Sequence, residues 1–203
     1  AVILTSLTFD AMRTQQSLVV NGITIGGGSS TENILRLEPA AELVPVLTAA
    51  LADSEDPVRD AAGYLLGLLG PVAESALGPL IDRVERRDLG AGYLYAFRRI
   101  GHAAIEPLLA CARRAGSGPV VEYCAMVLAQ IGEEATPFLL ESLTSAELGE
   151  RHCAGAALAK SSLKEDTAKA LVGRLPDLQE DARWHVSAAL VKLGDKATSI
   201  IPD

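Results

Sequence analysis

A glycine that closes an apolar helical pattern returns every thirty or so residues: Gly70, Gly101, Gly132 and Gly194, with Ser162 where another is due. The steps are 31, 31, 30 and 32 residues. A recurrence of this length constrains the fold more than any single motif. Each copy must be one supersecondary unit that buries its apolar face against the next. Aligned on that position, the copies read VRDAAGYLLGLLG from Val58, LGAGYLYAFRRIG from Leu89, VVEYCAMVLAQIG from Val120, ERHCAGAALAKSS from Glu150 and ARWHVSAALVKLG from Ala182. In the first copy Val58, Ala62, Leu65, Leu66 and Leu69 form the stripe of a helix with 3.6 residues per turn. Leu66, Phe97, Leu128, Leu158 and Leu190 are equivalent, as are Leu69, Ile100, Ile131 and Leu193. The closing glycine adopts positive φ without a Cβ penalty, so it is expected to stop each helix and turn the chain back.

After each stop comes an apolar segment that usually holds a proline: LVPVLTAAL around Pro45, LGPLIDRV around Pro79, IEPLLACA around Pro107 and TPFLLESL around Pro137, with Lys169 and Pro202 continuing the column. Proline is tolerated in a first helical turn, where its missing N–H costs no bond, so it is expected to mark where a second helix starts. Each unit then reads as a helix hairpin. Composition agrees: apolar residues are 49% of the 203 and aromatics only 4%, a bias toward helices packed through small side chains rather than toward a sandwich or barrel.

The segment SEDPVRDAAGYLLGLLG, Ser54–Gly70, with its Asp-Pro-x-Val-Arg entry and Ala-rich helix, resembles the HEAT-like repeat in the short form of the phycobilisome-lyase type. The resemblance covers roughly residues 38–203 and implies an all-α fold, an α-solenoid superhelix of five to six stacked hairpins. The family's helix-start arginine corresponds to Arg59, Arg151 and Arg183; Gly90 and Val121 stand in its place in the middle copies. Residues 1–37 fall outside the repeat and are expected to form an irregular cap. There Val19–Ile25 carries the Asn21-Gly22 signal of a tight hairpin, Gly26–Ser30 reads as a loop, and a helix over Leu7–Leu18 is the alternative. The sequence ends on DKATSIIPD, Asp195–Asp203, the opening of another second helix, and the array is expected to continue past Asp203.

Eighteen Lys and Arg against twenty-six Asp and Glu give a net charge of −8, the wrong sign for gripping phosphate backbones, so no nucleic acid is expected as a ligand. Residues 101–150 hold seven acids and two arginines, a stretch suited to a basic protein partner. Cys111, Cys124 and Cys153 follow neither a disulfide framework nor a zinc spacing, and the cytoplasm is the default compartment. No apolar run reads as a membrane span. Gly26-Gly27-Gly28 lacks the Lys-Ser/Thr of a phosphate loop. His152 and Cys153 point about 100° apart on a helix and cannot act as a base and its nucleophile. His102 after Gly101, and Glu133-Glu134 at a second-helix start, suit the helix dipole. No catalytic residue, metal or cofactor is expected.

The resemblance brings enzyme classes with it, and the residues weigh against two. Iron hydroxylases of this type need repeated His-Glu pairs, and the three histidines form none. Alkyl-base DNA glycosylases need a basic face. Bilin lyases and related chromophore-handling proteins stay open as the alternative.

What remains is a surface. Opposite the core stripe lie the columns of Asp60, Tyr64 and Gly67, then Ala91, Tyr95 and Arg98, then Glu122, Met126 and Ala129, then His152 and Ala156, and finally Trp184. Tyr64, Tyr95, Arg98, Met126, His152 and Trp184 are therefore the expected protein-binding residues, of types enriched where proteins meet. The competing reading has Tyr64 and Tyr95 half-buried between neighbouring helices. By resemblance the face is concave, and the expected function is that of a non-enzymatic scaffold, adaptor or inhibitor of undetermined oligomeric state.

Overall fold

The computed structural model describes residues 18–20, 23–25, 40–88 and 90–192. Among the described residues the fold is all-α apart from one short antiparallel hairpin, β1 (Leu18–Val20) and β2 (Ile23–Ile25), in which Val20 pairs with Ile23. The hairpin thus forms where the Asn-Gly signal places it. The alternative helix and the Gly26–Ser30 loop lie outside the described residues, as does the segment after Lys192.

Among the described residues ten α-helices follow: α1 (Ala40–Ala50), α2 (Asp56–Leu69), α3 (Leu77–Glu85), α4 (Ala91–Ile100), α5 (Ile105–Ala115), α6 (Pro119–Ile131), α7 (Thr136–Ser142), α8 (Leu148–Lys160), α9 (Glu165–Arg174) and α10 (Glu180–Val191). The even-numbered helices, except for small shifts at their ends, are the five aligned copies. Gly70, Gly101 and Gly132 close three of them with nearly one geometry, φ/ψ of 60/−133°, 75/−129° and 84/−134°. That region is open to glycine alone. The chain turns there directly into a 3-10 helix, Gly70–Ala76, Gly101–Ala104 and Gly132–Ala135, before α3, α5 and α7 begin. Pro79, Pro107 and Pro137 sit in the opening turn of those α-helices, where a missing N–H is harmless, so each proline marks the switch from 3-10 to α. Pro45 departs from the expectation, since it lies well inside α1.

Ser162 stands in the glycine column, and here the backbone changes course. Ser161 leaves α8 extended at φ/ψ −74/158°, no 3-10 helix follows, and α9 starts only at Glu165. A side chain excludes the glycine-only turn, and the chain takes a longer path.

The chain divides into two compact units, Ala1–Arg83 with Asp88–Gly101, and Val84–Arg87 with His102–Asp203. In the first unit α2 packs on α1 and, most extensively, on α4. Leu66, Leu80, Tyr93 and Phe97 are fully buried there. In the second, α6, α8 and α10 stack side by side with α5 and α7 behind them, and Leu108, Leu128, Leu139 and Leu158 fill the core. The stripe predicted by periodicity is therefore the core: Leu66, Phe97, Leu128, Leu158 and Leu190 are all buried. The helical run Asp56–Glu85 is long and apolar enough to cross a membrane by length and composition, and 61% of its window is buried inside the protein.

Two helix-start arginines tie one hairpin to the next. Arg59 donates to the backbone carbonyls of Asp53 and Ser54 at 3.0 Å and to the Asp88 carboxylate at 2.8 Å. Arg151 repeats the pattern with the carbonyls of Ser145 and Ala146 at 2.8 Å and the Asp181 carboxylate at 3.1 Å.

Candidate functional site

The face expected from the sequence resolves into two groups, one in each unit. In the first, the rings of Tyr64 on α2 and Tyr95 on α4 stack with centroids 4.7 Å apart and planes 18° apart, and the Arg98 guanidinium lies 5.5 Å from the Tyr95 centroid. Offset stacking and cation–π contact are favourable uses of aromatic rings at a half-exposed site. Gly67, one turn after Tyr64, leaves the space that Tyr95 fills. Asp60 serves structure: its carboxylate accepts the Gly92 amide at 2.7 Å, capping the start of α4 from the preceding hairpin.

In the second unit Glu122 on α6 meets Lys160 on α8 at 2.9 Å and lies 3.7 Å from the His152 Nε2. The Lys160 hydrogen bond holds the Glu122 carboxyl below its usual range against the opposing effect of burial. His152 and His185 lie 4.5 Å apart, centroid to centroid, and Trp184 meets His185 edge-on at 4.8 Å. Burial, then the neighbouring His152, pushes the His185 pKa down. Met126 is half-buried on α6, whereas Trp184 is 69% exposed.

Tyr64 and Tyr95 meet across the α2–α4 seam, and His152 lies between Glu122 of α6 and His185 of α10. Tyr64, Tyr95, Met126 and His152 are half-buried, and Arg98 and Trp184 project into solvent.

Three features escaped the sequence reading. Lys160 and His185 join the second group through contacts 38 and 33 residues away along the chain, beyond the reach of periodicity. The second is the approach of Cys111 on α5 to Cys124 on α6; these two and Cys153 on α8 are buried free thiols, in keeping with the absence of a disulfide framework in their spacing. A hydrogen bond between Cys111 and Cys124 pulls the first pKa down and pushes the second up, and burial raises that of Cys153. The third is a cavity of about 550 Å³ lined by Gly132, Glu133, Thr136, Ser162, Lys164 and Thr167 among others. Glu133 and Lys164 pair at 2.6 Å on its wall. The cavity opens where the chain detours around Ser162, and the missing glycine was its one signal in the sequence. His102 packs edge-on against Phe138 at 5.4 Å. Among the described residues no cluster of three or more His, Cys, Asp or Glu is arranged to hold a metal ion.

No protein-family model and no curated protein matches the chain.

Proposed function

We propose that the chain is a helical-repeat scaffold, adaptor or inhibitor of the HEAT-like type, a superhelical array that acts without catalysis in the cytoplasm and binds a protein partner on a concave face lined by its even-numbered helices. The observation that carries this reading is Trp184, the single tryptophan, held 69% exposed on a helix whose other face is buried. Tryptophan is among the residues most enriched at the energetic centres of protein interfaces. Arg98, exposed beside the half-buried Tyr95 ring, offers a second point of contact, and the acidic stretch 101–150 favours a basic partner.

The experiment compares the proteins retained from host lysate by the wild-type chain and by the Tyr95→Ala/Trp184→Ala double variant. The variant is expected to keep its helical circular dichroism and lose the partner. A folded variant that retains everything the wild type does would refute this face.

The cavity beside Ser162 supports a second reading, a bilin lyase or chaperone-like protein that handles a tetrapyrrole or its carrier. Its volume of about 550 Å³ lies in the range of small-molecule sites. A stoichiometric red-shifted absorbance on mixing with bilin would favour this reading over the scaffold.

A further inference from the structure

His185 is the one buried histidine among the described residues, 9% exposed in the seam where α10 lies on α8. The seam is tight at this point. Gly155 of α8 faces the ring, and a Cβ placed on it would come within 2.6 Å of the His185 Cβ. The His152 ring of α8 lies 4.5 Å away, centroid to centroid, and Trp184 meets His185 edge-on at 4.8 Å.

Among the described residues, the charged and titratable groups that face His185 are His152 and Lys160 of α8, Glu122 of α6 and Asp181 of its own helix. Both carboxylates are already engaged, Glu122 with Lys160 at 2.9 Å and Asp181 with Arg151 at 3.1 Å. Glu122 also lies 3.7 Å from the His152 Nε2, so one positive charge on the histidine pair has an acid beside it. A second charge, on the neighbouring ring, finds no unengaged carboxylate. His152 is half-exposed and can turn toward water. His185 reaches water only if the seam parts, and a buried charge without a partner is costly.

The helix that carries it is also the one most easily parted. Among the described elements α10 packs chiefly on α8, through Ala182, Val186, Ala189 and Leu190, while Arg183, Trp184, Ser187 and Val191 are exposed. An element with one neighbour opens at lower cost than a helix of the core. We propose that the His152–His185 pair is a pH-sensitive switch: as it takes up protons α10 leaves α8, carrying Trp184 with it, while the rest of the second unit stays folded. An imidazole in the parted state titrates near its ordinary value of about 6.5, whereas the closed seam holds His185 lower, through burial first and His152 second. Falling pH therefore favours the parted state, by up to about tenfold between pH 7.5 and 5.5.

Hydrogen exchange of the full chain, resolved by residue and corrected for the intrinsic effect of pH, tests this. Amides of α10 from Val186 to Val191 are expected to lose protection about tenfold between pH 7.5 and 5.5. At pH 5.5 they should also be less protected than Val127 and Leu128 of α6, and respond little to added urea. Protection of α10 that is the same at both pH values would overturn the proposal. So would equal protection of α6 and α10 at pH 5.5, which would mean that His185 takes its proton only when the whole unit unfolds. His185→Gln should hold the α10 protection constant over this range. His152→Gln, at a half-exposed position, should lessen the change without abolishing it, and a full tenfold change that survives in either variant would overturn the pair as its source. Any effect on partner binding rests on the reading of Trp184 as an anchor, whereas exchange is measured without a partner, so the two readings fail separately.

Discussion

At residue 92 a Cβ would run into the carbonyl oxygen of Asp60, while the amide of the same residue donates to the Asp60 side chain at 2.7 Å. The position admits glycine because two helices meet there, not because of its own backbone angles. Gly92→Ala is accordingly expected to destabilise the protein by about 1–3 kcal/mol, the usual cost of forcing atoms into a packed contact. Gly78→Ala is the control: a Cβ there meets nothing within 4 Å, and alanine's higher helix propensity should leave the protein unchanged or more stable by up to about 1 kcal/mol. Urea unfolding of the two variants measures both, and equal effects would mean that α4 does not seat on α2 as described. In the sequence Gly90-Ala91-Gly92 looks like a copy that has lost its arginine. Its reason becomes visible only with Asp60, thirty-two residues earlier, in place.

Among the elements, Asp88 joins the start of α2, the end of α3 and the first turn of α4. Its carboxylate accepts from Arg59 at 2.8 Å, Arg83 at 2.6 Å and Tyr93 at 3.1 Å. Burial pushes its pKa up, but hydrogen bonds from Arg83, Arg59 and Tyr93 outweigh it and hold the carboxyl below its usual range. The same contact raises the Tyr93 pKa to about 12, with burial the larger cause. Asp88→Asn should cost about 1.5–3 kcal/mol at pH 7, the size of a hydrogen bond to a charged group. A depressed carboxyl stabilises the fold above its unfolded pKa, and the gain is lost as pH falls through the folded value. The gap between wild type and variant should therefore narrow by pH 3. Denaturation midpoints at the two pH values decide it, since an unchanged gap would exclude the ion pair as its source. The helices themselves were legible from apolar spacing, because that pattern is local. The 3-10 turns were not, since a proline two or three residues into a helix looks the same whether the turn before it is loop or 3-10.

For the whole molecule, acid should act in two stages. His185 is depressed by burial and by His152, so the unfolded chain binds its proton first, and stability should start to fall as pH drops below about 6.5. Asp88, Glu122, Glu150 and Asp181 are all held low in the fold, so a second loss should follow below about pH 4.3. His185→Gln should flatten the first stage and leave the second, as thermal melts across pH 3–8 will show. A first stage that survives in the variant would place its origin elsewhere. The amino-acid sequence by itself determined the elements of this protein: which side chains face the core, where three helices must stop, and which two short strands pair as a hairpin. Each of these depends on spacing or backbone freedom within a few residues. The tertiary structure alone decided what the other columns do. Whether Asp60 is surface or cap, whether Gly155 is filler or clearance for His185, and whether Trp184 is covered depend on how far each helix is shifted and rotated against its neighbour, which is set by packing over some thirty residues.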